Sequence, residues 1–237
     1  MIDLSADVAE GAEGEAEMWP MISSANVACG GHIGDAQSMT DAVRRAKRYN
    51  VAIGAHPSYP DRANFGRTTM TMAPPALRAT LIEQIAALRE IVDRERVPMR
   101  HVKPHGALYN DAHKDVVLAG VIVEAIREVD PDLSIVCSDR SQMATAARAA
   151  HTPVIREAFA DRRYNADGSL VSRTIAGSLL TVEEAADQAA LLADEHAVIA
   201  RDGTRVPIAF DTICVHADMA HAVERLRAIR QRLGGMR

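Results

Sequence analysis

The chain has 237 residues, of which 48% are hydrophobic and 25% charged, so it can bury a full core and is neither disordered nor fibrous. At about 150 residues per domain, this length suits one α/β barrel of roughly 200–250 residues. The formal charge of −5, from 32 acidic and 27 basic residues without a basic stripe, argues against nucleic acid as a partner.

Three cysteines, Cys29, Cys137 and Cys214, are odd in number and far apart, so neither a disulfide framework nor a paired zinc spacing is expected. A reducing cytoplasm fits this usage. The segment MIDLSADVAEG has no apolar leader region, and no later stretch approaches about 18 uncharged apolar residues, so no membrane segment is expected.

In chain order, short β-type runs at 2–7, 22–28, 51–56, 99–104, 133–137, 153–156 and 207–215 alternate with helical patterns. The helical patterns cover 36–49, 76–95, 114–128, 141–150, 181–195 and 219–233. Asp35 and Asp218 are placed to cap helices, Thr181 with Glu184 forms a capping box, Pro74-Pro75 starts a helix, and Gly234-Gly235 closes the last one. No repeat or linker divides the chain. The turn-rich segment 157–180 reads as a functional loop with a short hairpin. Seven strands with helical crossovers make an open doubly wound sheet or a closed barrel, and either collects ligands at the carboxyl ends of the strands.

The unusual polar residues gather at those ends. Asp3 and Asp7 close the first strand, Asn26 and His32 follow the second, and His56 ends the third. Lys103 and His105 end the fourth, Asp161 and Arg162 follow the sixth, and His216 and Asp218 end the seventh. Strands buried on both faces tolerate few ionisable groups, so the set carries more weight than any member. All but three of the 27 basic residues are arginine, which makes Lys103 in HVKPHGALYN conspicuous as a donor to a developing oxyanion. Asp7, His32 and His56 supply one carboxylate and two imidazoles from successive strand ends, a set suited to a divalent metal. Phosphate-loop, dinucleotide and nucleophile-elbow motifs are missing.

These blocks resemble the LamB/YcsF family, described as the A component of ATP-dependent 5-oxoprolinase. The matching segments are DLSAD, SANVACGGHIGD, IGAHPSYPD, FGR, VKPHGALYN, EAFADRRY, DGSLVSR and DTICVHAD, in order along nearly the whole chain. The resemblance implies a seven-stranded parallel β/α barrel related to glycoside hydrolases and deacetylases, formed by one domain over 1–237. It also implies hydrolysis of 5-oxo-L-proline to L-glutamate with ATP as co-substrate, by an enzyme completed by subunits B and C. Departures from the usual family residues are Ser5 for Asn, Ala6 for Cys, Ala9 for Gly, Gly31 for Phe, Asn64 for Gly and Ala217 for Gly.

Opening an unreactive lactam needs a base, an oxyanion stabiliser and an acid for the leaving nitrogen. Residue type and position suggest Asp7 as base or metal ligand, Lys103 as oxyanion or phosphate partner, and His105 and His216 as proton carriers. Arg162 would grip the substrate carboxylate, with Asn26, Asp161 and Asp218 as further substrate contacts. Two other readings stay open: a stand-alone metal-dependent amidase or deacetylase, and a lactam-binding subunit without catalysis.

Overall fold

Alternation along the first strand sets the plan of the molecule. In β1 (Asp3–Val8), Leu4, Ala6 and Val8 occupy one face and Asp3, Ser5 and Asp7 the other. The apolar face packs under the outer helices, and the polar face lines the inside of a closed barrel. The structure, a computed structural model, describes residues 2–234.

Barrel strands β2 (Ser24–Ala28), β3 (Ala52–His56), β4 (Met99–Val102), β5 (Ser134–Cys137) and β6 (Val154–Phe159) follow in parallel. A two-stranded antiparallel hairpin, β7 (Ala197–Ile199) with β8 (Arg205–Pro207), lies outside it. Strand β9 (Thr212–Cys214) then closes the barrel by pairing with both β6 and β1, so that Cys214 stands opposite Phe159 and Ser5. The run expected as one strand over 207–215 is therefore divided. Pro207 brings no amide donor, and Asp211 is held by Arg156, so the ladder resumes only at Thr212.

The helices α1 (Glu15–Met18), α2 (Ala36–Tyr49), α3 (Pro74–Glu95), α4 (Gly106–Ala112), α5 (Val116–Val129), α6 (Gln142–Ala149), α7 (Val182–Glu195) and α8 (Ala222–Arg232) complete the chain. The caps at Asp35 and at Thr181 with Glu184 form as expected, and Pro74-Pro75 opens α3. Helix α8 instead starts at Ala222 behind His221, because the Asp218 carboxylate is taken by arginines. Gly234 has φ 98, and Gly235 of the expected terminal pair lies outside the described residues. Among the described residues no helix is long and apolar enough to cross a membrane.

Helix α3 buries Leu77, Leu81, Ile85, Leu88 and Ile91, each a side chain whose burial stabilises by about 1.5–3 kcal/mol. Gln84 interrupts that face. Its amide accepts from Ser58 N at 3.0 Å and donates to Ser58 O at 2.9 Å, directly over Gly31. A Cβ on Gly31 would overlap Gln84 Oε1 and Ser58 Oγ, so a larger residue there requires both side chains to shift.

Inside the barrel, Asp3 Oδ2 accepts from Ser24 Oγ at 2.7 Å and Thr212 Oγ1 at 2.6 Å, and Asn26, His101, Lys103 and Glu157 stack above as a buried polar column. Doubly buried strands tolerate few ionisable groups, and the interior ones here are accommodated by pairing with one another across the barrel. At the top of β1, Ala9 is held at φ 61, a left-handed conformation that an alanine adopts at about 1–2 kcal/mol. Ala9→Gly should therefore raise the unfolding free energy by about 0.5–1 kcal/mol in a denaturant titration, after glycine's own chain-entropy cost.

Candidate active site

A cavity of about 1190 Å³ opens at the carboxyl ends of the strands. Deeply buried among its lining are Asp7, Glu10, His56, Lys103, His105 and Glu157. Three groups of side chains divide it.

The first surrounds Lys103, carried just past β4, where Pro104 ends the ladder. Its ammonium lies 3.0 Å from Asp7 Oδ1, 2.8 Å from Glu157 Oε1 and 3.1 Å from Cys214 Sγ, reaching β1, β6 and β9 across the barrel. Burial alone would strip its proton, but Asp7, Cys214 and Glu157 outweigh it and hold the ammonium well above the ordinary lysine range. The Asp7 carboxyl is likewise penalised by burial yet held well below its usual range by His56 and Lys103. Asn26 Nδ2 donates to Asp7 Oδ1 at 2.8 Å, and His101 Nε2 donates to Asn26 Oδ1 at 2.8 Å. Burial and the neighbouring Lys103 push His101 down to about 3, so it stays a neutral donor. Glu157 goes the other way, raised because burial exceeds the help from Lys103.

The second group joins four successive strand ends. Glu10 follows β1, His32 follows β2, His56 closes β3 and His105 lies beyond β4. Each offers one donor atom, and the four atoms lie within 4.8 Å of one another, an arrangement that could bind a divalent metal. Glu10 Oε1 lies 2.8 Å from His32 Nε2. His56 Nδ1 donates to the Lys103 carbonyl at 2.7 Å, and His105 Nε2 donates to the Phe65 carbonyl at 2.9 Å. His105 and His32 rings stack in parallel with centroids 3.6 Å apart. Gly66, at φ 63, permits this packing, since a Cβ there would come 2.9 Å from His32 Cβ.

The third group gathers about Phe159, whose ring lies 5.6 Å from the Lys103 ammonium. His216 Nδ1 donates to the fully buried Asp161 at 3.0 Å, and its ring stacks on Phe159 with centroids 5.4 Å apart. Burial raises the Asp161 carboxyl, but His216 outweighs it and leaves it at about 2, while burial keeps His216 below the usual imidazole range in spite of Asp161. Nε2 is left as the ring's free nitrogen among the described residues, on a side chain that lines the cavity. Beside it, Arg162 donates from Nη2 to the Val171 carbonyl at 2.8 Å, while its Nε is buried without a partner. Burial and the nearby Arg173 push this guanidinium down to about 10. Arg67 pairs with Asp218, and Arg173 approaches the same carboxylate at 3.5 Å.

Asp7, Lys103, His105, Arg162, His216 and Asp218 thus line one cavity. Asn26 and Asp161 do not contact it: both are fully buried and act as supports, Asn26 beneath Asp7 and Asp161 behind His216. Asp218 faces the arginines and is taken by them, which removes it as a helix cap. The metal-type cluster keeps His32 and His56 but substitutes Glu10 for Asp7 and adds His105, because Asp7 is committed to Lys103. His105 has Nε2 held by the Phe65 carbonyl and Nδ1 at 3.0 Å from His56 Nε2. Glu10 and His101 were not singled out from sequence, and Glu157, expected at the start of the turn-rich loop, lies on β6 inside the barrel. His101 was signalled by its two-residue spacing from Lys103, which puts both on one face of the strand.

The model of the LamB/YcsF family matches residues 2–236. The chain belongs to the LamB/YcsF family. It is similar to the lactam utilization protein of Thermus thermophilus, at 40% identity and a TM-score of 0.92 over 98% of this chain and 95% of that one. An Enterococcus faecalis protein assigned to cellobiose-phosphate cleavage shares the fold, with 13% identity and a TM-score of 0.57 over 98% and 93% of the two chains. As the family resemblance implied, the architecture is a seven-stranded parallel β/α barrel.

Proposed function

We propose that this LamB/YcsF chain opens a cyclic amide by hydrolysis, converting 5-oxo-L-proline to L-glutamate as the A component of an ATP-consuming 5-oxoprolinase completed by subunits B and C. The observation that supports it most is that one cavity is lined both by a buried ammonium at Lys103 and by His216, which is backed by the buried Asp161 carboxylate. The 40% identical lactam utilization protein supports the substrate class.

A lactam carbonyl is a poor electrophile, and phosphorylation of its oxygen at the expense of ATP would make the carbonyl carbon attackable by water. His216 Nε2 takes the proton of that water, with Asp161 holding the tautomer and offsetting the charge that forms. The Asp7 carboxylate is unsuited to this task, since Lys103 and Asn26 occupy it and its basicity is depressed. Lys103 stays protonated and offsets the negative charge that the phosphoryl group brings to the lactam oxygen. When the ring C–N bond breaks, His216 returns its proton to the leaving nitrogen, and the phosphoryl group stays on the new carboxyl oxygen. A second water cleaves this acyl phosphate to glutamate and inorganic phosphate. Arg162, a buried guanidinium with an unused Nε, receives the substrate carboxylate. Arg162→Gln should raise KM about 10- to 100-fold, with a smaller change in kcat, as expected for loss of about 1.5–3 kcal/mol from a charged hydrogen bond.

The deciding experiment is release of glutamate and phosphate from 5-oxoproline and ATP by this chain with its B and C subunits. Equimolar, ATP-dependent release is expected. Ring opening without ATP would move the assignment to a metal-dependent amidase, and binding without turnover to a lactam-binding protein that does no chemistry.

A further inference from the structure

Two imidazole nitrogens meet lone pair to lone pair at the barrel mouth. Carbonyl oxygens only accept, so His56 Nδ1, 2.7 Å from the Lys103 carbonyl, and His105 Nε2, 2.9 Å from the Phe65 carbonyl, must carry the ring protons. In neutral rings the remaining nitrogens, His56 Nε2 and His105 Nδ1, are then bare acceptors facing each other at 3.0 Å. Such a contact is repulsive unless an electrophile is shared between them. A proton would satisfy these two atoms alone.

Two more donors converge on the same point. Glu10 Oε1 lies 3.5 Å from His105 Nδ1, 3.8 Å from His56 Nε2 and 2.8 Å from His32 Nε2. Together with the 3.0 Å separation of the two imidazoles, these distances straddle the edge of about 3.3 Å of a tetrahedron with bonds of about 2.0–2.1 Å. Backbone carbonyls fix the tautomers of His56 and His105 in the way that outer partners orient metal-binding imidazoles. Three imidazoles and one carboxylate favour a borderline transition cation over magnesium or calcium, which prefer an all-oxygen shell.

We infer that Glu10, His32, His56 and His105 form a tetrahedral site for a first-row divalent transition cation of the zinc type. Four protein donors close the coordination shell, so the cation clips together the ends of β1, β2, β3 and β4 beside Asp7. The clip is separate from the lactam reading, and its test involves neither substrate nor ATP.

The full chain is stripped with a chelator, dialysed, and loaded with Zn²⁺, Co²⁺ or Mg²⁺. Metal content, thermal midpoint and visible spectrum are then recorded. One equivalent of zinc per chain, a midpoint raised by Zn²⁺ and not by Mg²⁺, and intense tetrahedral d–d bands with Co²⁺ are expected. Glu10→Gln and His105→Asn, checked for folding by circular dichroism, should each bind zinc at least tenfold more weakly and lose the cobalt bands. Wild-type protein that keeps no zinc after dialysis, or an equal midpoint shift with Mg²⁺, overturns the site. So does zinc binding undiminished in both folded variants. Should neither variant fold, the wild-type cobalt spectrum decides, weak octahedral bands counting against the proposal.

Discussion

Lys103→Met should abolish 5-oxoproline turnover and lower the unfolding free energy at pH 7 by about 3–5 kcal/mol, the cost of leaving buried charge without its partner. Methionine retains most of the side-chain volume, so the loss is electrostatic. The Asp7 and Glu157 carboxylates would then share the barrel interior with no ammonium between them. Arginine should rescue little, because its planar fork cannot replace a compact charge lying 3.1 Å or less from Asp7, Glu157 and Cys214.

The sign of the pH dependence follows from the shifts. In the wild type, the depressed Asp7 contributes stability present above its unfolded pKa of about 3.9 and lost as pH falls through the folded value. Raised Lys103 contributes stability below about 10.4, lost as pH climbs through its folded value, so the ion cage is intact between those limits. Glu157 has the opposite sign to Asp7: its raised value favours the native state as pH falls. In Lys103→Met both carboxylates lose their counter-ion and take up protons more readily. The gap to wild type is therefore widest at neutral and alkaline pH and narrows toward pH 4, as denaturant titrations across pH would show. A variant with wild-type stability and turnover would remove Lys103 from the mechanism.

The barrel was legible because its strands are short apolar runs separated by amphipathic helices, and the parallel order follows from those crossovers. The small elements escaped for local reasons. Helix α4 follows His105 directly with glycine in its first position, and β7 and β8 have three residues each, too few to show a period. Within the site, position along a strand was readable but facing was not. Asn26 and Asp161 stand near strand ends as expected, yet neither reaches the cavity, since Asn26 lies one layer down beneath Asp7 and Asp161 is covered by His216. Pairings across the barrel, such as Lys103 with Glu157, belong to closure and have no trace in local spacing. Glu10 was hidden for a related reason: it lies past the strand, on a turn opened by the left-handed Ala9.

Asp161→Asn should reduce kcat by about 10²–10⁴ while leaving KM within a few-fold, because the carboxylate touches His216 and not the cavity. An asparagine can present Nδ2–H to the ring and favour the wrong tautomer, leaving Nε2 protonated and unable to accept from water. The rate profile separates this from a packing defect. In the wild type, burial holds the His216 pKa below the usual imidazole range in spite of Asp161, so the acid limb of activity lies below that range, where the ring gains its proton. The Asp161 charge raises that pKa against the effect of burial, and its removal must lower it further. The acid limb in Asp161→Asn should accordingly shift to lower pH beneath a much reduced plateau. A merely loosened structure would lower the plateau with the limb unmoved, and an unchanged plateau would transfer the proton-carrying step away from His216.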